Sequence, residues 1–151
     1  KDVVGHELPI TPLMLNYETM IKKDSMYNTP PCWQIYILGL TMDWLASQGG
    51  VEGMEQKKHA KAQMLYDALE SSTIFQLHAA KDSRSDMNVT FRTGSEELDK
   101  KFVAEAAELG LVNVKGHRLT GGMRASIYNA MPVEGVEKLR DFIIQFDKEN
   151  K

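Results

Sequence analysis

The stretch Gly116–Ala130 reads GHRLTGGMRASIYNA and carries His117, Arg118 and Arg124 around the pair Gly121-Gly122. A guanidinium offers a planar pair of donors that matches a carboxylate or a phosphate. Buried inside a strand without a partner, it is costly. Arg124 falls between Met123 and Ala125 in an apolar run that reads as a strand, while His117 and Arg118 open the turn before it. One reading is a pair of anion sites: His117 with Arg118, and separately Arg124. The ligand to match would be anionic at both ends. The other reading is that both arginines pair with surface carboxylates, as most arginines do. Spacing alone leaves both standing.

A second candidate is Asn28-Thr29, ahead of Pro30-Pro31 and a long apolar segment. Both residue types cap helices, with Thr29 as N-cap and a proline in the first turn. A helix start with a hydroxyl nearby also suits a phosphate. The remaining chemistry-bearing residues are scattered. His6 and His78 are isolated, and His59 falls on a charged helix face. No His/Cys/Asp/Glu grouping has metal-ligand spacing, so no metal is expected. Nothing places Ser, His and Asp as a triad. Lys115, beside the arginine cluster, reads as electrostatic support.

These residues need elements to position them. The prolines 9, 12, 30 and 31 punctuate an irregular first thirty residues, with short extended pieces expected near Val3 and over Leu13–Tyr17. From Thr29 a helix runs to Gly49-Gly50, apolar around most of its circumference, and such a helix is buried on more than one side, often by a second chain. A second helix spans about Val51–Ser71. The period then changes. Phe75–Leu77 and Met87–Arg92 read as strands, the latter alternating at period two. Ser95 caps a helix over Glu96–Leu109. Two further strands are expected at Leu111–Val114 and Met123–Tyr128, and Pro132 opens a last amphipathic helix. The expected fold class is α+β: a small, mainly antiparallel sheet with helices on one face.

The chain has 151 residues, a net charge of −3, 26% charged and 42% apolar residues, which is ordinary for one globular domain. A mildly acidic chain argues against nucleic acid as partner. The apolar run near Ile35–Leu40 is too short to span a membrane. One cysteine, Cys32, excludes an internal disulfide and suits a reducing compartment. There is no signal peptide pattern, and position 1 is not Met. The chain is therefore expected to be a fragment or a processed product.

Three blocks carry a family resemblance. GHRLTGGMRASIYNAMP, from Gly116, resembles the GHRSVGGMRASIYNAMP segment of phosphoserine aminotransferases. SMYNTPPCWQIYILGL resembles that family's S-x-Y-N-T-P-P segment, and SRSDMNVTFR its R-S-x-M-N-V-P-F strand. The blocks come in the family's order. Leu119-Thr120 for Ser-Val and Thr90 for Pro are mild departures that leave the charged positions intact.

The resemblance implies homodimeric, pyridoxal-phosphate-dependent enzymes of the aspartate-aminotransferase fold, cytoplasmic, without nucleic-acid or membrane partners. They move an amino group between glutamate and 3-phosphohydroxypyruvate, giving phosphoserine in serine biosynthesis. A phosphorylated pyridoxine precursor is a second substrate in some members. By this resemblance Arg124 binds the substrate α-carboxylate. His117 and Arg118 hold the phosphate or the distal carboxylate of glutamate. Asn28 and Thr29 contact the cofactor phosphate of the neighbouring subunit. Residues 1–30 would end the large cofactor domain and its connecting segment, and residues 31–151 would form the interdomain helix and the small C-terminal domain. The family's cofactor-binding lysine lies upstream of the segment matching Lys1-Asp2, so no catalytic residue is expected within this segment and it should be inactive alone. The alternative is a non-catalytic dimerisation or anion-binding module that keeps the small-domain fold.

Overall fold

A computed structural model describes residues 2–151. The chain divides into two compact units, one reaching to Trp44 and the other running from Leu45 to Lys151.

In the first unit the extended pieces expected near Val3 and over Leu13–Tyr17 are absent. Residues 2–5 form a turn, and a 3-10 turn covers Leu13–Leu15. Helix α1 (Tyr17–Ile21) follows, its first turn capped by the Asn16 side chain, which accepts from the Glu18 amide at 2.8 Å. That cap draws the chain into a helical turn and away from an extended course. Helix α2 (Cys32–Ser47) starts later than the sequence implied. A residue before proline is pushed out of the helical region, so Pro30 cannot be helical ahead of Pro31. Thr29 is thereby removed from the N-cap position. The α2 amide of Cys32 is met by the Pro30 carbonyl at 2.9 Å. None of the α2 residues is buried, although Trp33, Ile35, Leu38 and Leu40 are among its large apolar side chains.

The second unit has its own core. Helix α3 (Gly50–Glu70) leads into β1 (Phe75–Leu77), β2 (Asn88–Thr93), α4 (Glu96–Glu108), β3 (Met123–Ser126) and α5 (Val133–Glu149). The sheet is antiparallel with order β1-β2-β3. Period-two alternation puts Val89, Phe91 and Thr93 inward and Asn88, Thr90 and Arg92 outward. β3 does the same, with Met123 and Ala125 inward and Arg124 and Ser126 outward. The helices supply the inner layer: Leu65 and Leu69 from α3, Phe102 from α4, and Phe142, Ile143 and Phe146 from α5. Phe102 touches four other rings, including Phe142 with centroids 4.7 Å apart and Phe146 at 5.1 Å. The α+β class with helices on one face of an antiparallel sheet is thus observed.

The strand expected at Leu111–Val114 does not form. The end of α4 uses it instead. Gly110, at φ 78°, donates to the Ala107 carbonyl, and the Leu111 amide returns to Ala106 at 2.8 Å. This is a Schellman closure, which satisfies the last helix carbonyls. Asn113 then turns left-handed at φ 61°, which breaks an extended run. Among the described residues, pairing beyond it is a single bridge from Lys115 to Met123.

Two buried polar groups tie the second unit together. The Asp147 carboxylate, in the last turn of α5, accepts from the Ser72 hydroxyl at 2.5 Å and from the amides of Thr73 and Ile74 at 3.0 and 3.3 Å. Its other oxygen meets Lys151 at 2.9 Å. Burial pushes the Asp147 carboxyl up, but these hydrogen bonds outweigh it and hold the group down at about 2. Lys61, buried on α3, donates to the carbonyls of Tyr128, Asn129 and Met131 at 2.9, 3.3 and 2.9 Å. Desolvation lowers its ammonium below the usual lysine range.

Candidate functional site

The helices of the second unit pack on the inner face of the sheet, and the outward face carries the candidate residues. Register decides which of them meet. Arg124 on β3 pairs with Thr90 on β2, and the His78 amide, just past β1, donates to the Thr90 carbonyl at 3.2 Å. His78, Thr90 and Arg124 therefore form one row across three neighbouring segments of the sheet. Arg92 occupies the next row of β2, a diagonal neighbour of Arg124.

The loop from Gly116 to Gly122 folds over the end of this row. Its ends are joined by the Gly116 amide to the Gly122 carbonyl at 2.8 Å, and the Arg124 amide reaches the Val114 carbonyl at 2.8 Å. Inside the loop the amides of Thr120 and Gly121 both donate to the His117 carbonyl. Gly122 is required here. It has φ 63°, and a Cβ would lie 2.6 Å from the Phe91 carbonyl oxygen. The backbone of the loop thus lies directly against β2.

Between loop and sheet is a cavity of about 30 Å³, room for one or two water-sized groups. His78, Thr90, Arg92, His117, Thr120 and Arg124 line it together with loop backbone, and no carboxylate does. Arg118 points elsewhere, into a broader groove shared with Glu96, Asp99 and Lys100 of α4, and His117 lines both spaces. His117 is common to the two spaces.

The Arg124 guanidinium has no hydrogen-bond or ion-pair partner among the described residues, and its Nε is buried and unsatisfied. A native interior rarely leaves such a donor unpaired. Arg118 likewise makes no ion pair among the described residues, although Glu96 and Asp99 share its groove. The His117 Nδ1 accepts the Leu119 amide at 3.3 Å, which leaves Nε2–H as the donor of the neutral ring.

Asn28 and Thr29 belong to the first unit. Both are exposed ahead of α2, the Asn28 amide touching only the Met14 sulfur at 3.9 Å. Among the described residues the Thr29 hydroxyl forms no hydrogen bond. The Thr29 hydroxyl is thus a free donor at this position, while the Asn28 amide is engaged by a sulfur. No group of three or more His, Cys, Asp or Glu that could hold a metal occurs among the described residues, and no described helix is long and apolar enough to cross a membrane.

Sequence reasoning did not single out His78, Arg92 or Lys61 for the roles they have here. The period-two pattern of β2 places Thr90 and Arg92 on one face, a usable signal. The pairing of that face with Arg124 and with His78 needs the register, which no local pattern carries.

The aminotransferase class-V family model matches residues 6–139. A phosphoserine aminotransferase of Limosilactobacillus fermentum is 53% identical over 138 residues, which cover 91% of this chain and 39% of that protein. Among solved structures, the phosphoserine aminotransferase of Bacillus circulans subsp. alkalophilus superposes with a TM-score of 0.89 at 44% identity, covering 99% of this chain and 42% of that one. The pyridoxal-phosphate-bound enzyme of Trichomonas vaginalis gives 0.80 at 33% identity, covering 90% and 39%. The chain spans about two-fifths of the length of the curated relatives it matches.

Proposed function

The chain belongs to the class-V aminotransferase family, and from that premise we propose that it is the C-terminal part of a phosphoserine aminotransferase and supplies that enzyme's substrate-anchoring groups. The observation that carries the reading is the Arg124 guanidinium, held on the sheet face with its Nε buried and no internal partner. A protein that keeps an unpaired cation in that position gains from it only when an anion arrives. The whole enzyme would transfer an amino group between glutamate and 3-phosphohydroxypyruvate, as a homodimer. Residues up to about 30 would complete the cofactor domain, and residues 31–151 would form the connecting helix and small domain. The many exposed apolar side chains of α2 fit burial against the rest of such an assembly.

The geometry supports a division of labour within this chain. Arg124 binds the α-carboxylate through its two-pronged donor edge. His117, with Nε2–H free, and Arg118 bind the distal group, a phosphate in one substrate and a carboxylate in the other. Both substrates are anionic at both ends, so one set of donors serves both half-reactions. The Gly116–Gly122 loop excludes water from the Arg124 side and lowers the local dielectric, which strengthens each contact. Asn28, whose amide is held only by a sulfur, and Thr29, with its free hydroxyl, suit the phosphate of pyridoxal phosphate. That cofactor, when bound, supplies the electron sink that stabilises the substrate carbanion. No residue of this chain is assigned a proton-transfer role.

The test is turnover of the full-length protein with phosphoserine and 2-oxoglutarate. Phosphoserine-dependent formation of glutamate is expected. Turnover of serine or aspartate with none of phosphoserine would overturn the substrate assignment.

A further inference from the structure

We propose that Arg92, held in place by His78, is a further substrate-positioning residue that reinforces the α-carboxylate site at Arg124. The inference rests on the aminotransferase reading above. Arg92 and Arg124 are diagonal neighbours on one face, a relation that places Cβ atoms roughly 7–8 Å apart, within reach of long side chains. Like charges at that distance repel, so the pair is retained at a cost unless an anion lies between them. Arg92 makes no ion pair among the described residues. Its Nη2 donates instead to Nδ1 of His78 at 3.1 Å. This bond occupies the imidazole lone pair and steers the guanidinium along the row that contains Thr90 and Arg124. Gly122 is the residue opposite Arg92 across the strands, and a Cβ there would come within 2.9 Å of the Arg92 Cβ. The missing side chain leaves the Arg92 stem its place against the loop.

Arg92, His78, His117 and Arg124 thus surround one small cavity that has no acidic lining residue. The cavity is of the scale of a carboxylate head, which Arg124 can grip directly. Arg92 adds a second positive charge to the lining of the same space. Arg118 lies outside this cavity, so the two arginines act on different ends of a substrate. That separation gives the inference its signature. The α-carboxylate is common to phosphoserine and glutamate. Loss of Arg92 should therefore weaken both substrates by the same factor, whereas loss of Arg118 should weaken them unequally.

The experiment is steady-state kinetics of the full-length enzyme with Arg92→Gln, Arg92→Lys and Arg118→Gln, for phosphoserine and for glutamate. For Arg92→Gln the expected result is a KM increase of about five- to tenfold for both substrates, with kcat within about twofold of the parent, as a screened charge at this range allows. Arg92→Lys should restore part of the loss, and added salt should reduce the difference between parent and variant. Unchanged KM values for Arg92→Gln in an active enzyme overturn this inference and leave the function standing. So does a loss in kcat alone with equal KM, which marks a structural role. A parent enzyme that does not turn over phosphoserine overturns the reading on which the inference rests.

Discussion

Replacing Arg124 by Gln should separate function from stability. The guanidinium contributes no internal hydrogen bond, and its buried Nε is unsatisfied. In the folded protein without substrate, that donor is a cost. Gln keeps Cβ and Cγ of the stem, so packing beside Met123 and Ala125 is largely kept, and the unpaired buried N–H disappears. Stability should change by no more than about 0.5 kcal/mol, or rise. With substrate the balance reverses. Two charge-assisted hydrogen bonds to a carboxylate are lost, each at the lower end of roughly 1.5–3 kcal/mol, or about 3–4 kcal/mol together. At about 1.4 kcal/mol per factor of ten, kcat/KM should fall about 10²- to 10³-fold for phosphoserine and for glutamate alike. Urea unfolding of the variant, read beside both half-reactions, makes the comparison. Normal turnover with either substrate would refute the assignment of Arg124. A fall in activity matched by a stability loss above about 1 kcal/mol would refute the reasoning differently, because the residue would then be supporting the fold.

Three further outcomes concern the scaffold. The Asp147 carboxyl is held at about 2 against an ordinary value of 3.8, so its contribution of about 2 kcal/mol is present above pH 4 and is lost as the pH falls toward 2; urea midpoints of Asp147→Asn should lack this part of the acid sensitivity, and identical acid profiles would refute it. Lys61→Met should cost about 1–3 kcal/mol and speed amide exchange at Met131, since the carbonyls of Tyr128, Asn129 and Met131 lose their shared donor; unchanged exchange would show that the ammonium does not fix this loop. Gly122→Ala should destabilise by at least about 2 kcal/mol in thermal unfolding, combining a left-handed backbone with a Cβ against the Phe91 carbonyl; a neutral result would mean that the loop can move away from β2 freely.

What the sequence disclosed follows from how local each signal is. The alternation over Asn88–Thr93, the Ser95 cap of α4 and the apolar stripe of α5 are written within a few residues of one another, and each element formed close to where it was expected. Ser95 accepts from the Glu97 and Leu98 amides, as a residue of its type before a helix should. Leu111–Val114 failed because its apolar pattern is shared by a strand and by the tail of a Schellman closure. Thr29 failed as a cap because two consecutive prolines move the helix start. Arg124 was visible as an oddity of type and place. Its company was not: His78 and Arg92 lie some thirty to fifty residues before it in the chain, and only strand pairing brings the three to one face. Lys61 resembled its charged neighbours on α3 until the fold placed three carbonyls around it.

The clamp at Asp147 also has a meaning in time. Its carboxylate joins a helix made last in the second unit to the Ser72–Ile74 corner, which is made some seventy residues earlier. The same helix brings Phe142 and Phe146 to the ring cluster around Phe102. During synthesis, α3, the sheet and α4 can therefore exist only with their central aromatic surface uncovered. The core of the unit is complete only when α5 is in place, so a chain lacking that helix would leave apolar surface exposed and prone to association.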